Sequence, residues 1–409
     1  MPIALPLEMT APAVQQVFAA LEAAGGAACV RFVGGCVRDV VMGRTPGDLD
    51  LSTQLTPDAT EAALSAAGIR HVPTGKAFGT ITAVIEGRLF EITSLREDVE
   101  TDGRRAVVSY TTDWSRDAQR RDFYLNALYA DIRGEVFDPT GQGLDDVQAG
   151  RVRLIGDAET RLREDYLRIL RFFRFSASHG RGLDEASLSA CVALREGIDS
   201  LSGERIQQEL FKLLAIADPV NVVQRMIETG VMAYVVPGAP VNPERVAAGF
   251  PLTSDVIQRL IILIGGHGWA EALAALTQRL RLSNRVANRL SAAAAAYAEA
   301  DVRASLAALR RGLYRHGPQA LSDALVLRGA EARVSPETWQ ALDQNLKQID
   351  VPVFPLKSAR LISAGLAPGP ELGQTLRRIE ANWIAHDFSP IVIEDAIDAI
   401  AKQANIRGQ

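Results

Sequence analysis

Along the first 150 residues the hydrophobic positions change period repeatedly. Residues 11–24 carry apolar side chains at helical spacing, and Gly25-Gly26 supplies a stop. Val30–Val33 reads as a short buried strand. Residues 48–53 alternate polar and apolar, the period of a half-buried strand. Residues 80–86 and 88–95 flank Gly87 as the two arms of a hairpin, and 125–132 is a further strand candidate. The stretch 97–112 is charged and rich in turn residues, and reads as a mobile loop.

After about residue 151 the strand signals fade. Helical spacing covers 158–178, 203–216 and 218–230. It continues through 252–264, 269–281, 284–299, 303–315, 317–328, 335–347, 357–364, 371–386 and 391–404. No repeat or low-complexity linker interrupts the series. The pattern predicts an α+β chain with a small mixed sheet first and an all-helical remainder. At 409 residues the chain exceeds one ordinary core, so two to four domains are expected.

Composition narrows the class. With 47% hydrophobic and 23% charged residues, the chain is an ordinary globular one. No apolar run approaches the ~18 residues of a membrane span, so no membrane partner is expected. The N-terminus lacks a basic leader pattern and Glu8 falls early, which points to a cytoplasmic protein. Cys29, Cys36 and Cys191 form no C-x-x-C, against a disulfide framework or a cysteine-based zinc site. A net charge of −5 weighs mildly against a nucleic-acid partner, but the basic residues are unevenly spread. Arginines crowd 151–181, and smaller clusters hold Arg279, Arg281, Arg285 and Arg289, then Arg310, Arg311 and Arg315.

The candidate chemistry begins at Asp48-Leu49-Asp50-Leu51. On a strand both carboxylates share one face while the leucines face the core. Two such carboxylates repel unless a cation lies between them, and Mg²⁺ favours a few carboxylate oxygens plus substrate phosphates. Two ions so held can activate an attacking hydroxyl and stabilise a leaving pyrophosphate. Glu91, between Phe90 and Ile92, is placed to supply a third carboxylate from a neighbouring strand. An isolated D-x-D is more often a solvated surface strand, so its context matters. Upstream stands Gly34-Gly35-Cys36-Val37-Arg38-Asp39. Its paired glycines close a strand and open a helix, exposing backbone N–H groups to a phosphate that Arg38 could also reach. The spacing is neither that of a dinucleotide fold nor that of a P-loop.

Taken together, Gly34 to Asp39, Met42-Gly43-Arg44 and Asp48-Leu49-Asp50 resemble the first signature of the class II tRNA nucleotidyltransferases and their bacterial poly(A) polymerase relatives. These belong to the polymerase-β-like superfamily. Arg120-Arg121-Asp122-Phe123 followed by Asn126-Ala127 resembles the second signature, with Tyr124 where the family has threonine. Arg121, Asp122 and Asn126 are then candidate nucleotide contacts, the arginine and asparagine for triphosphate or sugar. Their bland alternative is that Arg120 and Arg121 pair with nearby acids.

Residues 163–171 read as one strong helix on which Asp165, Arg168 and Arg171 share a face, opposite Tyr166, Ile169, Leu170 and Phe173. The string resembles the family's nucleotide-selecting helix. A carboxylate accepts from an amino group and an arginine only donates, so the pair suits the edges of cytosine and adenine. Uracil and guanine would set a carbonyl against Asp165, and an unmatched buried polar group costs roughly 1–3 kcal/mol. Residues 202–210, with Glu204-Arg205-Ile206 and Glu209-Leu210, resemble a following signature that buttresses this pocket. The five histidines form no metal cluster, so no phosphohydrolase module is expected.

The resemblance covers about residues 30–215. It implies a polymerase-β-like catalytic head over 1–150, a helical neck over 151–230, and an RNA-binding body over 231–330 and tail over 331–409. The implied reaction is attack of a tRNA 3′-hydroxyl on the α-phosphate of CTP or ATP, with metal held by Asp48 and Asp50. CCA addition is the leading expectation, since 95–104 resembles the flexible loop of CCA-adding members. Poly(A) synthesis or partial addition is the alternative within the family, and a non-catalytic RNA-binding protein is the reading from another class.

Overall fold

The computed structural model describes residues 2–102 and 105–407. The chain divides into two compact units, Met1–Pro237 and Gly238–Gln409.

The first unit is built on a seven-stranded sheet. In chain order its strands are β1 (Val30–Val33), β2 (Asp50–Thr53), β3 (Arg70–Gly75), β4 (Thr80–Ile85) and β5 (Arg88–Ser94), with β8 (Tyr129–Ala130) and β9 (Val136–Phe137). β6 (Arg96–Asp102) and β7 (Arg105–Tyr110) form a separate two-stranded ribbon. The spatial order is β3-β4-β5-β2-β1-β8-β9. Every pairing is antiparallel except β2 with β5. A parallel pair needs a crossover. Here the Pro57–Ala66 helix begins it, with Thr56 accepting from the Ala59 N–H and Pro57 in the first turn. The resulting register sets Asp50 opposite Glu91.

Alternation along β2 fixes which way its side chains go. Leu49 and Leu51 are buried, and Asp50 between them is half-exposed. The core beneath includes Val17, Leu21, Phe32, Ile81 and Phe90, and the Phe18 and Phe32 rings stand 4.9 Å apart. Each such side chain contributes about 1.5–3 kcal/mol on burial, so the backbone that presents the aspartates is anchored from below.

Four sequence expectations need correction. The strand starts at Asp50, and Asp48 lies in the bend before it, although the alternation of exposure persists. Residues 125–132 yield only β8, because Tyr124–Asn126 tightens into a 3-10 turn closed by Ala127 N–H to the Tyr124 carbonyl. The expected loop at 97–112 is largely the β6–β7 ribbon, with a register shift between Asp98 and Glu100. Gly103 and Arg104, part of the segment likened to a flexible loop, lie outside the described residues. The expected helix over 158–178 is two helices, Ala158–Glu164 and Leu167–His179, broken at Asp165 and Tyr166.

The second unit is helical over its described residues. Its Pro318–Glu331 helix is buried on most sides and carries the fully buried Asp323. Arg289 pairs with that carboxylate at 2.7 Å and with Asp255 at 3.1 Å, while Arg315 pairs with Glu299 at 2.8 Å. These two arginines of the basic clusters therefore serve internal ion pairs. A second core gathers Tyr314, Phe354, Trp383 and Phe388 near the C-terminus. Among the described residues no helix is long and apolar enough to cross a membrane.

Candidate active site

A cavity of about 720 Å³ in the first unit collects most of the residues singled out in the sequence. Gly34 and Gly35 end β1 at its floor, Asp48 and Asp50 enter from the start of β2, and Arg121, Asp122 and Asn126 come from the following signature. Asp165, Arg168 and Arg171 line it from the helical segment beyond. Glu91 does not line the cavity, although its backbone pairs with that of Asp50. Seven arginines face four aspartates across the lining, a balance that favours a polyanionic ligand.

Gly34 adopts φ +73° and ψ −123°, a region that glycine reaches freely and that costs an L-residue roughly 1–3 kcal/mol. Its N–H donates to the Leu128 carbonyl at 2.9 Å and its carbonyl accepts from the Arg38 N–H at 3.0 Å. The turn thus ties β1 to the second signature and starts the Gly35–Val41 helix. Arg38 is 6% exposed and donates to Asn126 Oδ1 at 2.6 Å and to Asp39 at 2.9 Å. Asn126 passes the link on through Nδ2 to Asp122 at 3.2 Å, and Asp122 takes both Nε and Nη2 of Arg171 at 2.8 and 2.5 Å. Burial works to raise the Asp122 carboxyl, but Arg171 and its hydrogen bonds outweigh that and hold it below the ordinary range. The Phe175 ring lies under the guanidinium groups of Arg38, Arg171 and Arg174, at 5.4, 5.1 and 4.1 Å from its centroid. Arg174 also pairs with the buried Glu209 at 2.5 Å.

Behind Arg120 and Arg121, Asp117 is the organising acid. It is 1% exposed and accepts from Arg120 at 2.6 Å, Arg121 at 2.9 Å and the Tyr129 hydroxyl at 2.7 Å. Both arginines therefore pair with a nearby acid and line the cavity as well. Tyr124 does not line it. Its hydroxyl accepts the Gly156 N–H at 3.2 Å and Arg153 stacks on its ring, so the departure from threonine serves packing.

The Asp50 carboxyl is pushed above the ordinary range by burial first, then by the charges of Glu91 and Asp48, with Arg121 opposing. Asp50 thus feels two neighbouring carboxylates. Among the described residues no three His, Cys, Asp or Glu groups are gathered into a preformed metal cage. Hard oxygen donors that repel one another at the rim of an open cavity nevertheless fit a divalent cation completed by substrate phosphates.

Asp165 sits in extended backbone at φ −156°, ψ 104°. Its Oδ1 accepts the Leu167 N–H at 3.1 Å and its Oδ2 accepts from Arg205 at 2.7 Å. Asp165 therefore does not share a continuous helical face with Arg168 and Arg171; the break and the Arg205 pair bring it to the same cavity. Tyr166 beside it lies against Gly197, where an added Cβ would stand 2.1 Å from a ring carbon. We predict that Gly197→Ala costs about 1–3 kcal/mol through this overpacking. Urea unfolding measures it, and an unchanged midpoint would refute the tight seat.

Arg96, Arg174 and Phe175 also line the cavity, and Asp117 supports it from behind Arg120 and Arg121; the sequence assigns none of them a role in the site. Arg174 continues the three-residue spacing of Arg168 and Arg171, and Arg96 falls in the 95–104 segment likened to a flexible loop; Asp117 and Phe175 carry no local signal. The family described as "Poly A polymerase head domain" matches residues 30–153. A second, described as "Probable RNA and SrmB- binding site of polymerase A", matches 182–241. A CCA-adding enzyme of Streptococcus pyogenes is 31% identical over 88% of this chain and 90% of its own length. A mitochondrial CCA tRNA nucleotidyltransferase 1 of Danio rerio is 30% identical over 87% of this chain and 83% of its own.

The chain belongs to the CCA-adding tRNA nucleotidyltransferase family.

A CCA-adding enzyme of Bacillus stearothermophilus, solved in complex with CTP, is 23% identical and shares the fold with a TM-score of 0.76, covering 97% of this chain and 99% of that one. The expected α+β architecture of a mixed-sheet head followed by helices is therefore the family's fold. Family membership makes the protein a nucleotidyltransferase.

Proposed function

We propose that this protein adds C, C and A to the 3′ end of tRNA from CTP and ATP, without a nucleic-acid template. One observation carries the reading: the carboxylates Asp48 and Asp50 share a single arginine-rich cavity with the candidate base-reading pair Asp165 and Arg168. A nucleoside triphosphate has a polyanionic end and a base edge, and this cavity has a wall suited to each.

Arg38, Arg121 and the Gly35 N–H receive the triphosphate, and Asn126 and Asp122 hold Arg38 and Arg171 in place. Asp165 accepts from the amino group of cytosine or adenine while Arg168 donates to the neighbouring ring nitrogen. Uracil and guanine offer a carbonyl to Asp165 and are rejected. Asp48 and Asp50, with Glu91 adjacent, would hold Mg²⁺, which when bound lowers the barrier to attack by the 3′-hydroxyl on the α-phosphate. The residues do the rest by positioning and by neutralising charge as pyrophosphate departs. The body and tail over 231–409 would take the tRNA acceptor arm.

The deciding experiment supplies tRNA lacking its CCA end with each nucleoside triphosphate in turn. Two CMP followed by one AMP is the expected result. Long A tails would mean a poly(A) polymerase, and RNA binding without incorporation would mean a non-catalytic protein.

A further inference from the structure

We propose that Arg161, which does not line the cavity, ties the triphosphate-facing wall of the site to its base-reading arginine and so sets the discrimination between nucleotides. The inference rests on the proposed reading of Asp165 and Arg168.

Arg161 lies on the Ala158–Glu164 helix with its side chain 12% exposed. Its Nη2 donates to two successive carbonyls, those of Arg120 at 2.5 Å and Arg121 at 2.7 Å. These follow the end of the Trp114–Gln119 helix, where carbonyls lack helical partners and a cation is favoured. Arg161 Nη1 donates to Glu164 Oε2. That same oxygen accepts from Arg168 Nη1 at 2.5 Å, and Arg168 Nη1 also donates to the backbone carbonyl of Arg161 at 2.5 Å.

One residue therefore grips both walls. Its side chain holds the backbone that carries Arg120 and Arg121; its backbone, with Glu164, holds Arg168. A single carboxylate would let the Arg168 guanidinium swing about one point, and the Arg161 carbonyl removes that freedom. The bonds described for Arg168 all use Nη1, which leaves Nε and Nη2 for a base edge. Their direction is then set relative to the segment that receives the triphosphate. A hydrogen bond weakens steeply with misalignment, so slack in this tie falls on the base contact first. The triphosphate contacts depend mainly on charge and tolerate it better.

The test compares Arg161→Met with the wild-type chain. Measured are kcat/KM for CTP, ATP and UTP on tRNA lacking its CCA end, and inhibition by inorganic tripolyphosphate. The preference for CTP over UTP is expected to fall by about tenfold or more, with tripolyphosphate inhibition held within about twofold. Arg161→Lys should restore part of the preference, since an ammonium reaches some of these acceptors but lacks the planar fork. Should Arg161→Met fail to fold, Arg161→Lys and Glu164→Gln carry the same comparison. An unchanged preference overturns the inference, whether rates are normal or fall together for CTP and UTP. So does a loss of tripolyphosphate inhibition in step with the loss of preference. A wild-type protein without preference for CTP and ATP over UTP would instead overturn the proposed function.

Discussion

Replacing Asp50 by asparagine is expected to cut nucleotide incorporation by on the order of a thousandfold or more while leaving the protein folded. The reaction needs a cation held where the α-phosphate is attacked, and an amide is a poor ligand for it. The fold does not need the charge. Leu49 and Leu51 on either side supply the buried contacts, and asparagine keeps the shape between them. Burial and the nearby charges of Glu91 and Asp48 hold the Asp50 carboxyl above its ordinary range. The folded state then binds this proton more tightly than the unfolded chain does. Without a cation, the ionised group costs stability, and that cost grows as pH rises from the ordinary carboxylate range through the raised folded value. Metal-free Asp50→Asn should therefore melt at or above the wild-type temperature. Added Mg²⁺ should raise the Tm of the wild type more than that of the variant. Normal incorporation by Asp50→Asn, or equal stabilisation of both proteins by Mg²⁺, would refute the assignment.

The largest loss of stability is expected at Asp117. Asp117→Asn removes the charge that Arg120 and Arg121 share and disturbs the acceptor of the Tyr129 hydroxyl. Breaking a buried pair by removing one partner costs about 3–5 kcal/mol, because the other charge stays behind uncompensated. Here two guanidinium groups stay behind. Burial alone would raise the Asp117 carboxyl, but the charges of Arg121 and Arg120 outweigh it and hold the group well below its usual range. Its contribution is then fully present above the ordinary carboxylate pKa. It is lost as pH falls from about 3.9 toward the depressed folded value. Guanidinium unfolding at pH 7 reads the first effect. Acid titration reads the second, since the variant should show a weaker loss of stability on acidification. A cost under about 1 kcal/mol would place the two arginines in solvent rather than around Asp117.

The contrast between these residues explains what could be read from the sequence. Asp50 announces itself because its neighbours alternate with it, and alternation is a local property of a strand. Asp117 stands in Trp114-Ser115-Arg116-Asp117-Ala118-Gln119, where it looks like a solvated helix acid. Its burial arises from Tyr129 and Arg121 closing over it, which no local period records. Asp165 is legible in the sequence, but the break beneath it is not. Apolar positions continue across 162–173, and the extended backbone is held by Arg205, forty residues on in the chain. The β6–β7 ribbon reads as a loop in the sequence because its charged residues carry no alternation to betray a strand. The sheet order was also illegible, since the parallel meeting of β2 with β5 depends on how the crossover packs.

That sheet order has a consequence for how such an enzyme could change. Of the carboxylates proposed for the chemistry, Asp50 and Glu91 are carried by β2 and β5, each strand paired on both sides, so moving either means unzipping two ladders at once. The proposed choice of base sits in a two-residue interruption between helices, kept by a few side-chain bonds. Backbone of the first kind opens only when the whole unit does, whereas the second can rearrange alone. Nucleotide preference could therefore drift by substitutions around the interruption without passing through an inactive catalyst.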